Sequence, residues 1–384
     1  MSDGHKPLSR ETLAAQAMGY IDAATRAVIP PLHLSTTFIR DADNQYSSGF
    51  IYGRADNQTV RELESVLAML EQGTSALAFG SGMSAAIAAF MALPSGSKII
   101  APKVMYWALR HWLLTQTERL GFSVHFVDMR NLDELHAAAQ GASLIWVETP
   151  SNPLWDIIDL QHVAKIAKQV GAKLAVDSTC ATPVLTQPLM LGADLVMHSA
   201  SKYLNGHSDA IAGALITKEE DDYWARIRAL RTSHGMLLGP FEAFLVMRGI
   251  RTLHVRMKAH CQNALALAEK LSAHPCVSAV LYPGLKNHPG HDIAYQQMTG
   301  GFGGMLSVRV KGGEKAAIIV AAHVRLWKRA TSLGGVESLI EHRASIEGEN
   351  SPCPTDLLRL SCGIESSADL FADLDQALKS AHNL

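Results

Sequence analysis

The segment Ala193-Asp-Leu-Val-Met-His-Ser-Ala-Ser-Lys-Tyr-Leu-Asn-Gly-His207 gathers groups that could do chemistry. A short apolar run leads into two serines spaced two apart, then into Lys202 within a loop of small residues and a glycine. A lysine at a strand end is ordinarily just solvated. Here Ser199 and Ser201 supply hydroxyl donors suited to a phosphate, and a partly desolvated Lys202 would have the lowered pKa that a Schiff-base lysine requires. Upstream, Leu174-Ala-Val-Asp177-Ser-Thr179 ends another apolar run in a carboxylate. Alone, Asp177 would serve as a cap for the segment that follows. Beside Lys202 it has a second use, because the ring nitrogen of pyridoxal 5'-phosphate must stay protonated to act as an electron sink, and a buried aspartate keeps it so. Two strand ends of one sheet can converge on one cofactor.

A second phosphate cue is Phe79-Gly80-Ser81-Gly82-Met83-Ser84-Ala85, a glycine-rich turn between an apolar run and an Ala-rich helical stretch. Backbone N–H groups at such a helix start bind anions. The same letters satisfy G-x-G-x-x-A, but a dinucleotide site also needs an acid about twenty residues on, at the end of the next strand. The chain offers Ile99-Ile-Ala-Pro-Lys103 there, which disfavours a nicotinamide dehydrogenase.

These groups need a scaffold, and the chain supplies one. From Asn57, the spacing of Val60, Leu63, Val66, Leu67 and Leu70 makes one apolar helical face with a stop at Gly73. Apolar runs at Ala76–Phe79, Lys98–Ala101, Ser123–Val127, Leu144–Val147, Leu174–Val176, Leu195–Met197 and Ile211–Ile216 are mostly separated by helix-period segments such as Leu160–Val170. That alternation predicts an α/β fold: a mainly parallel central sheet with flanking helices. A long helical stretch around Pro240–Leu271, then strands at Val277–Tyr282, Met305–Val310 and Leu357–Leu360, predict a smaller α+β C-terminal domain. We therefore expect an extended arm over 1–55, a cofactor-binding domain over 56–245 and a C-terminal domain over 246–384.

Composition sets the outer limits. The 384 residues are 48% hydrophobic, enough for a large core, and 34 Lys+Arg against 36 Asp+Glu leave a formal charge of −2. No basic cluster attracts nucleic acid or anionic lipid. The N-terminal residues lack a signal-peptide pattern, and the stretch Leu77 to Leu93 is interrupted by Gly80, Ser81, Gly82 and Ser84, so a buried helix rather than a membrane span is expected there. Five cysteines without a CxxC pair suit a reducing compartment, hence a cytoplasmic protein. The 17 histidines, His198, His207, His254, His260, His288 and His291 among them, include no set at metal-ligand spacing, and no metal is expected.

Several longer motifs stand alongside these: Val147-Glu-Thr-Pro-Ser-Asn-Pro153, Val176-Asp-Ser-Thr179, His198-Ser-Ala-Ser-Lys-Tyr-Leu-Asn-Gly-His-Ser-Asp209, Ser332-Leu-Gly-Gly335 and Leu358-Arg-Leu-Ser361. With them the chain, from about Ile29 to its C-terminus, resembles the Cys/Met-metabolism family of pyridoxal-phosphate enzymes, which includes cystathionine γ-synthase, γ-lyase and β-lyase. The resemblance implies a fold-type I PLP-dependent transferase that acts on a small sulfur amino acid. It implies that Lys202 holds the cofactor, Asp177 pairs its ring nitrogen, and Gly82, Met83, Ser199 and Ser201 hold its phosphate. Tyr106, which by itself reads as a core aromatic, matches the tyrosine stacked on the ring and serves there in proton transfer. Tyr52 and Arg54 match the pair that reaches the phosphate of a neighbouring subunit's cofactor, which implies a homo-oligomer, usually a dimer of site-sharing dimers. Arg359, otherwise an edge salt-bridge residue, matches the fork for the substrate carboxylate, with Asn152 and Ser332 nearby.

Departures bear on the reaction. Members acting at the γ-carbon commonly carry acids where this chain has Ile51 and Thr331. Gln58 replaces a frequent proline, and the usual Met-Thr-His is missing from His342-Arg-Ala-Ser-Ile-Glu-Gly348. The missing acids, and a Tyr-Gly-Arg form at 52–54 that resembles the β-lyases more, put cystathionine β-lyase-like α,β-elimination first and γ-replacement or γ-elimination second, while the other two departures make the acceptor side unusual. An aminotransferase is a more distant enzymatic rival, and a non-catalytic PLP-binding regulatory protein is disfavoured because binding alone needs no carboxylate fork and no stacked phenol.

Overall fold

The computed structural model describes residues 8–348 and 352–383. Its strands, in chain order, are β1 (Ser75–Phe79), β2 (Lys98–Pro102), β3 (Ser123–Val127), β4 (Leu144–Glu148), β5 (Lys173–Asp177), β6 (Leu195–His198), β7 (Gly213–Thr217), β8 (Val277–Leu281), β9 (Met305–Val310), β10 (Lys328–Arg329), β11 (Leu339–His342) and β12 (Leu357–Ser361). The chain forms two compact units. One joins the residues up to Ala92 to Ser199–His254, and the other joins Leu93–His198 to the chain from Val255 onward.

In the first unit, β1 and β7 pair antiparallel, from Ser75 opposite Thr217 to Phe79 opposite Gly213. The helix Gln58–Glu71 starts where Asn57 Oδ1 accepts the N–H groups of Thr59 and Val60, and it buries Val60, Leu63, Val66, Leu67 and Leu70. It ends with Gln72 in the left-handed region at φ 57°, one residue before the expected glycine. The stretch Leu77 to Leu93 is the end of β1, a turn and the helix Gly82–Met91, whose Ala85, Ala86, Ala88 and Ala89 are buried. Among the described residues no helix is long and apolar enough to cross a membrane. The arm has a short helix, Arg10–Ala15, before its irregular course, and one isolated bridge pairs Thr37 with Tyr52.

In the second unit five strands lie in the order β6-β5-β4-β2-β3, all parallel. β4 is buried along its whole length, as a strand covered on both faces should be. A second sheet runs β10-β11-β12-β9-β8 and is antiparallel except at β10–β11. Its core packs Leu306, Val308, Ile340, Leu358 and Leu360 with Leu370 and Leu374 of the helix Ser367–Ala381. The layers match the predicted α/β and α+β pattern. The long helical stretch, however, is two helices, Pro240–Ile250 and Leu253–Ser272, separated at Arg251 and Thr252. The apolar period runs through the break, which is why the sequence reads as one helix.

Asp373, on the helix Ser367–Ala381, holds the segment that leads from the helix Gly313–His323 into β10. Its carboxylate accepts the N–H groups of Arg325, Leu326 and Trp327 at 2.7 to 3.0 Å. These bonds hold its pKa below the ordinary aspartate range against the opposing effect of burial. A carboxyl with a lowered native pKa contributes stability at neutral pH that is lost as pH falls through that pKa. Asp373→Ala should therefore destabilise the protein by about 2 kcal/mol at pH 7. In thermal unfolding, the gap to wild type should narrow below about pH 4.

Candidate active site

The candidate site residues fall into two sets, one in each unit. In the first, Ser81 caps the helix Gly82–Met91: its Oγ accepts Ser84 N–H at 3.0 Å and lies 2.9 Å from Ser84 Oγ. The first two N–H groups of the helix, those of Gly82 and Met83, have no acceptor in the helix's own ladder. Ser199 lies against this end so closely that a Cβ on Gly82 would come within 2.8 Å of its Cβ and Oγ. Glycine is therefore required there by approach, its φ being ordinary. Lys202 follows in a turn closed by its own N–H to Ser199 O and by Gly206 N–H to Lys202 O. Gly249, in the helix Pro240–Ile250, backs this loop; a Cβ there would overlap Asn205 O at 2.1 Å. The Ser201 hydroxyl is engaged on both sides by Ala212, accepting its N–H at 2.9 Å and donating to its carbonyl at 3.1 Å. A phosphate role for Ser201 requires that O–H to turn away from Ala212. In the arm, the Arg54 guanidinium lies 5.7 Å over the Tyr52 ring and donates to Thr232 O at 3.2 Å; both side chains are exposed.

In the second unit the groups stand at the C-terminal ends of the parallel strands. Asp177 is the last residue of β5 and Glu148 the last of β4, and the two are register partners. Asp177 Oδ1 accepts the N–H and O–H of Thr179 at 3.0 and 2.6 Å, so it does cap the segment after it. Burial pushes its pKa above the usual range, with the Thr179 bonds and His198 opposing. Glu148 binds two other segments by their backbones: Oε2 accepts Tyr106 N–H and Oε1 accepts Asn152 N–H, both at 2.7 Å. Tyr106 thereby starts the helix Trp107–Leu120 with its side chain 42% exposed, not in the core.

Arg359 sits mid-strand on β12 and is buried, with β11 and β9 on either side. Nη2 lies 2.7 Å from Glu341 Oε2 and 2.9 Å from Ser332 O, and Nη1 lies 3.3 Å from Asn152 Oδ1. Ser332 takes a left-handed φ of 96°, a conformation rare for a residue with a side chain, which turns its carbonyl to the guanidinium. Burial lowers the Arg359 pKa to about 10, with Glu341 opposing. The structure thus brings Arg359, Asn152 and Ser332 together, and Gly82 and Ser199 together. A cleft of about 230 Å³ beside Glu148, lined by Lys103, Val104, Arg130, Ser151 and Asp156, includes none of the candidate site residues. Among the described residues no three His, Cys, Asp or Glu groups are arranged to hold a metal.

Sequence reasoning passed over Glu148, Glu341, Arg343 and Glu347. Glu148 had a signal: like Asp177, it puts a charge at the end of a run, Leu144-Ile-Trp-Val, that is otherwise apolar. Burial, and next the neighbouring Asp177 charge, raise its pKa from an ordinary 4.5 to about 8. A raised native pKa gives a contribution that is complete below the unfolded value and lost as pH rises through the native one. The cofactor-free protein should therefore lose thermal stability from about pH 5 to pH 8. Glu148→Gln should flatten that slope while lowering stability at pH 5 by about 1 kcal/mol, because an amide cannot accept both N–H groups.

The profile of the family described as Cys/Met metabolism PLP-dependent enzyme matches residues 11–379. The cystathionine gamma-synthase of Mycobacterium tuberculosis is 46% identical over 385 residues, covering 98% of each chain. The cystathionine gamma-lyase of Dictyostelium discoideum is 40% identical over 366 residues, 93% of this chain and 94% of that one. Among solved structures, metB from Corynebacterium glutamicum matches with a TM-score of 0.94 at 41% identity over 98% of this chain and 99% of that one. A cystathionine gamma synthase from Xanthomonas oryzae pv. oryzae, in complex with aminoacrylate and cysteine, matches at 0.93 with 37% identity over 98% and 100% of the two chains. The chain belongs to the Cys/Met metabolism PLP-dependent enzymes, sharing their fold and their cofactor and acting in the cleavage or formation of carbon–sulfur bonds of amino acids.

Proposed function

We propose that this chain catalyses a γ-replacement of the cystathionine γ-synthase type, joining the thiol of cysteine to the γ-carbon of an activated homoserine. The observation that carries the reading is the 46% identity, nearly end to end, with a protein named cystathionine gamma-synthase. It favours the γ alternative over the β-elimination that the sequence placed first. The β reading keeps the support of Ile51 and Thr331, which stand where γ-acting members commonly carry acids, and of the Tyr-Gly-Arg form at 52–54.

The residues present suit the cofactor. The helix start at Gly82 and Met83, kept open by a glycine against Ser199, fits a phosphate dianion. Asp177, whose charged form is penalised by burial, gains most from a cation such as a protonated ring nitrogen. When bound, pyridoxal phosphate supplies the electron sink that stabilises negative charge at the substrate Cα. Lys202 would hold the cofactor covalently until the substrate amine replaces it. Its Nζ would then take the α-proton and move a proton at Cβ. Tyr106 would exchange a proton near the substrate amine or the entering sulfur. Arg359, with Asn152 and Ser332, would fix the α-carboxylate. In the proposed reaction the ester C–O bond at Cγ breaks, the acid leaves, and the cysteine thiol forms the new C–S bond as it gives up its proton. Tyr52 and Arg54 would complete the phosphate site of a neighbouring subunit, so we propose a cytoplasmic homo-oligomer built from site-sharing pairs.

Incubating the enzyme with cysteine and an acyl-homoserine should give cystathionine. With cystathionine alone, homocysteine and pyruvate as main products would replace this reading with β-elimination, whereas cysteine and 2-oxobutyrate would indicate γ-elimination. Lys202→Ala should abolish turnover and the borohydride-reducible cofactor linkage. Arg54→Ala should lose cofactor more readily, and mixing it with Lys202→Ala subunits should recover activity; failure to recover would count against a site shared between chains.

A further inference from the structure

The segment His342-Arg-Ala-Ser-Ile-Glu-Gly348, which lacks the Met-Thr-His of the family pattern, builds a buried charge cluster on the Arg359 fork. Arg343 Nη1 lies 2.8 Å from Glu341 Oε2, the same oxygen that Arg359 Nη2 approaches at 2.7 Å. On its other side Arg343 holds Glu347 Oε1 through Nη2 at 2.6 Å and Nε at 3.0 Å. All four side chains are nearly or wholly out of water, at 4 to 7% exposure. They form one chain of alternating sign, Glu347–Arg343–Glu341–Arg359. Burying four charges is costly, and apolar groups of the same size would pack as well or better. The cluster therefore calls for a use other than stability.

Its electrostatics supply one. Glu341 is a competitor for Arg359, since it takes part of the positive charge on which a substrate carboxylate depends. Arg343 shares the same Glu341 oxygen and so weakens that competition, while Glu347 in turn restrains Arg343. We propose that Arg343 and Glu347 are positioning residues that act through Glu341 to set how tightly Arg359 grips the substrate α-carboxylate. The proposal rests on the reading of Arg359 as the carboxylate fork.

The two residues should act with opposite sign, which a merely structural role would not produce. Holoenzyme can be titrated with glycine, which has the carboxylate, and with methylamine, which lacks it, following the cofactor absorption spectrum. Arg343→Met leaves Glu341 wholly to Arg359 and should weaken glycine about tenfold, with methylamine within about twofold of wild type. Glu347→Gln frees Arg343 to draw on Glu341 and should bind glycine roughly threefold tighter than wild type. Arg343→Lys should recover most of the glycine affinity that Arg343→Met loses. Equal weakening by Arg343→Met and Glu347→Gln, loss of methylamine along with glycine, or no change in either variant would each overturn the relay. Should Arg343→Met fail to fold, the sign of the Glu347→Gln effect decides alone, and a weakening of glycine overturns the proposal. Arg359→Ala separates the two levels: if it keeps the preference for glycine over methylamine, the fork reading fails first and the relay with it.

Discussion

Glu148 and Asp177 set the terms for the second unit. Two carboxyl groups end neighbouring parallel strands in register and out of water, where neither can carry its charge cheaply. The surroundings answer with donors. Thr179 bonds Asp177, while Tyr106 and Asn152 bond Glu148 through their backbones. The proposed stacking tyrosine and one arm of the carboxylate fork are thus fixed to the strand next to the one that carries the proposed ring acid. A strand end that would otherwise be a liability becomes the common reference point from which three segments take their positions.

Arg359 presents the same problem with the sign reversed. A guanidinium in the middle of a buried strand needs partners, and it finds them in Glu341 across the ladder, in the Ser332 carbonyl and in Asn152. The expectation of an ordinary salt bridge and the expectation of a substrate fork were therefore never exclusive. The ion pair helps a buried guanidinium stay charged, as the proposed carboxylate fork requires.

Much of this was legible in the residues, for identifiable reasons. Buried strands leave unbroken apolar runs, so most predicted edges of β1 to β6 fall within a residue or two of the observed ones. Glycine at 82 was readable because close approach restricts residue type. What escaped notice depended on orientation. The type of Ser201 does not reveal that its hydroxyl turns to Ala212. Nor does spacing alone disclose that Arg343 points inward to Glu341 and not to solvent, since charged residues near a turn are usually solvated. Arg251 and Thr252 interrupt a helix whose apolar period continues, and period carries no record of a two-residue break.

The discontinuous make-up of the first unit has a consequence for synthesis. Phe79 of β1 pairs with Gly213 of β7, and Gly82 packs on Ser199, so this unit cannot close until the whole insertion from Leu93 to His198 has left the ribosome. At roughly 5–20 residues per second, the apolar strand Ser75–Phe79 waits on the order of ten seconds with its ladder groups unpaired. Such an edge is a template for pairing with other nascent chains. Yield of native enzyme should therefore depend on translation speed and chaperone supply more than the stability of the finished fold would suggest.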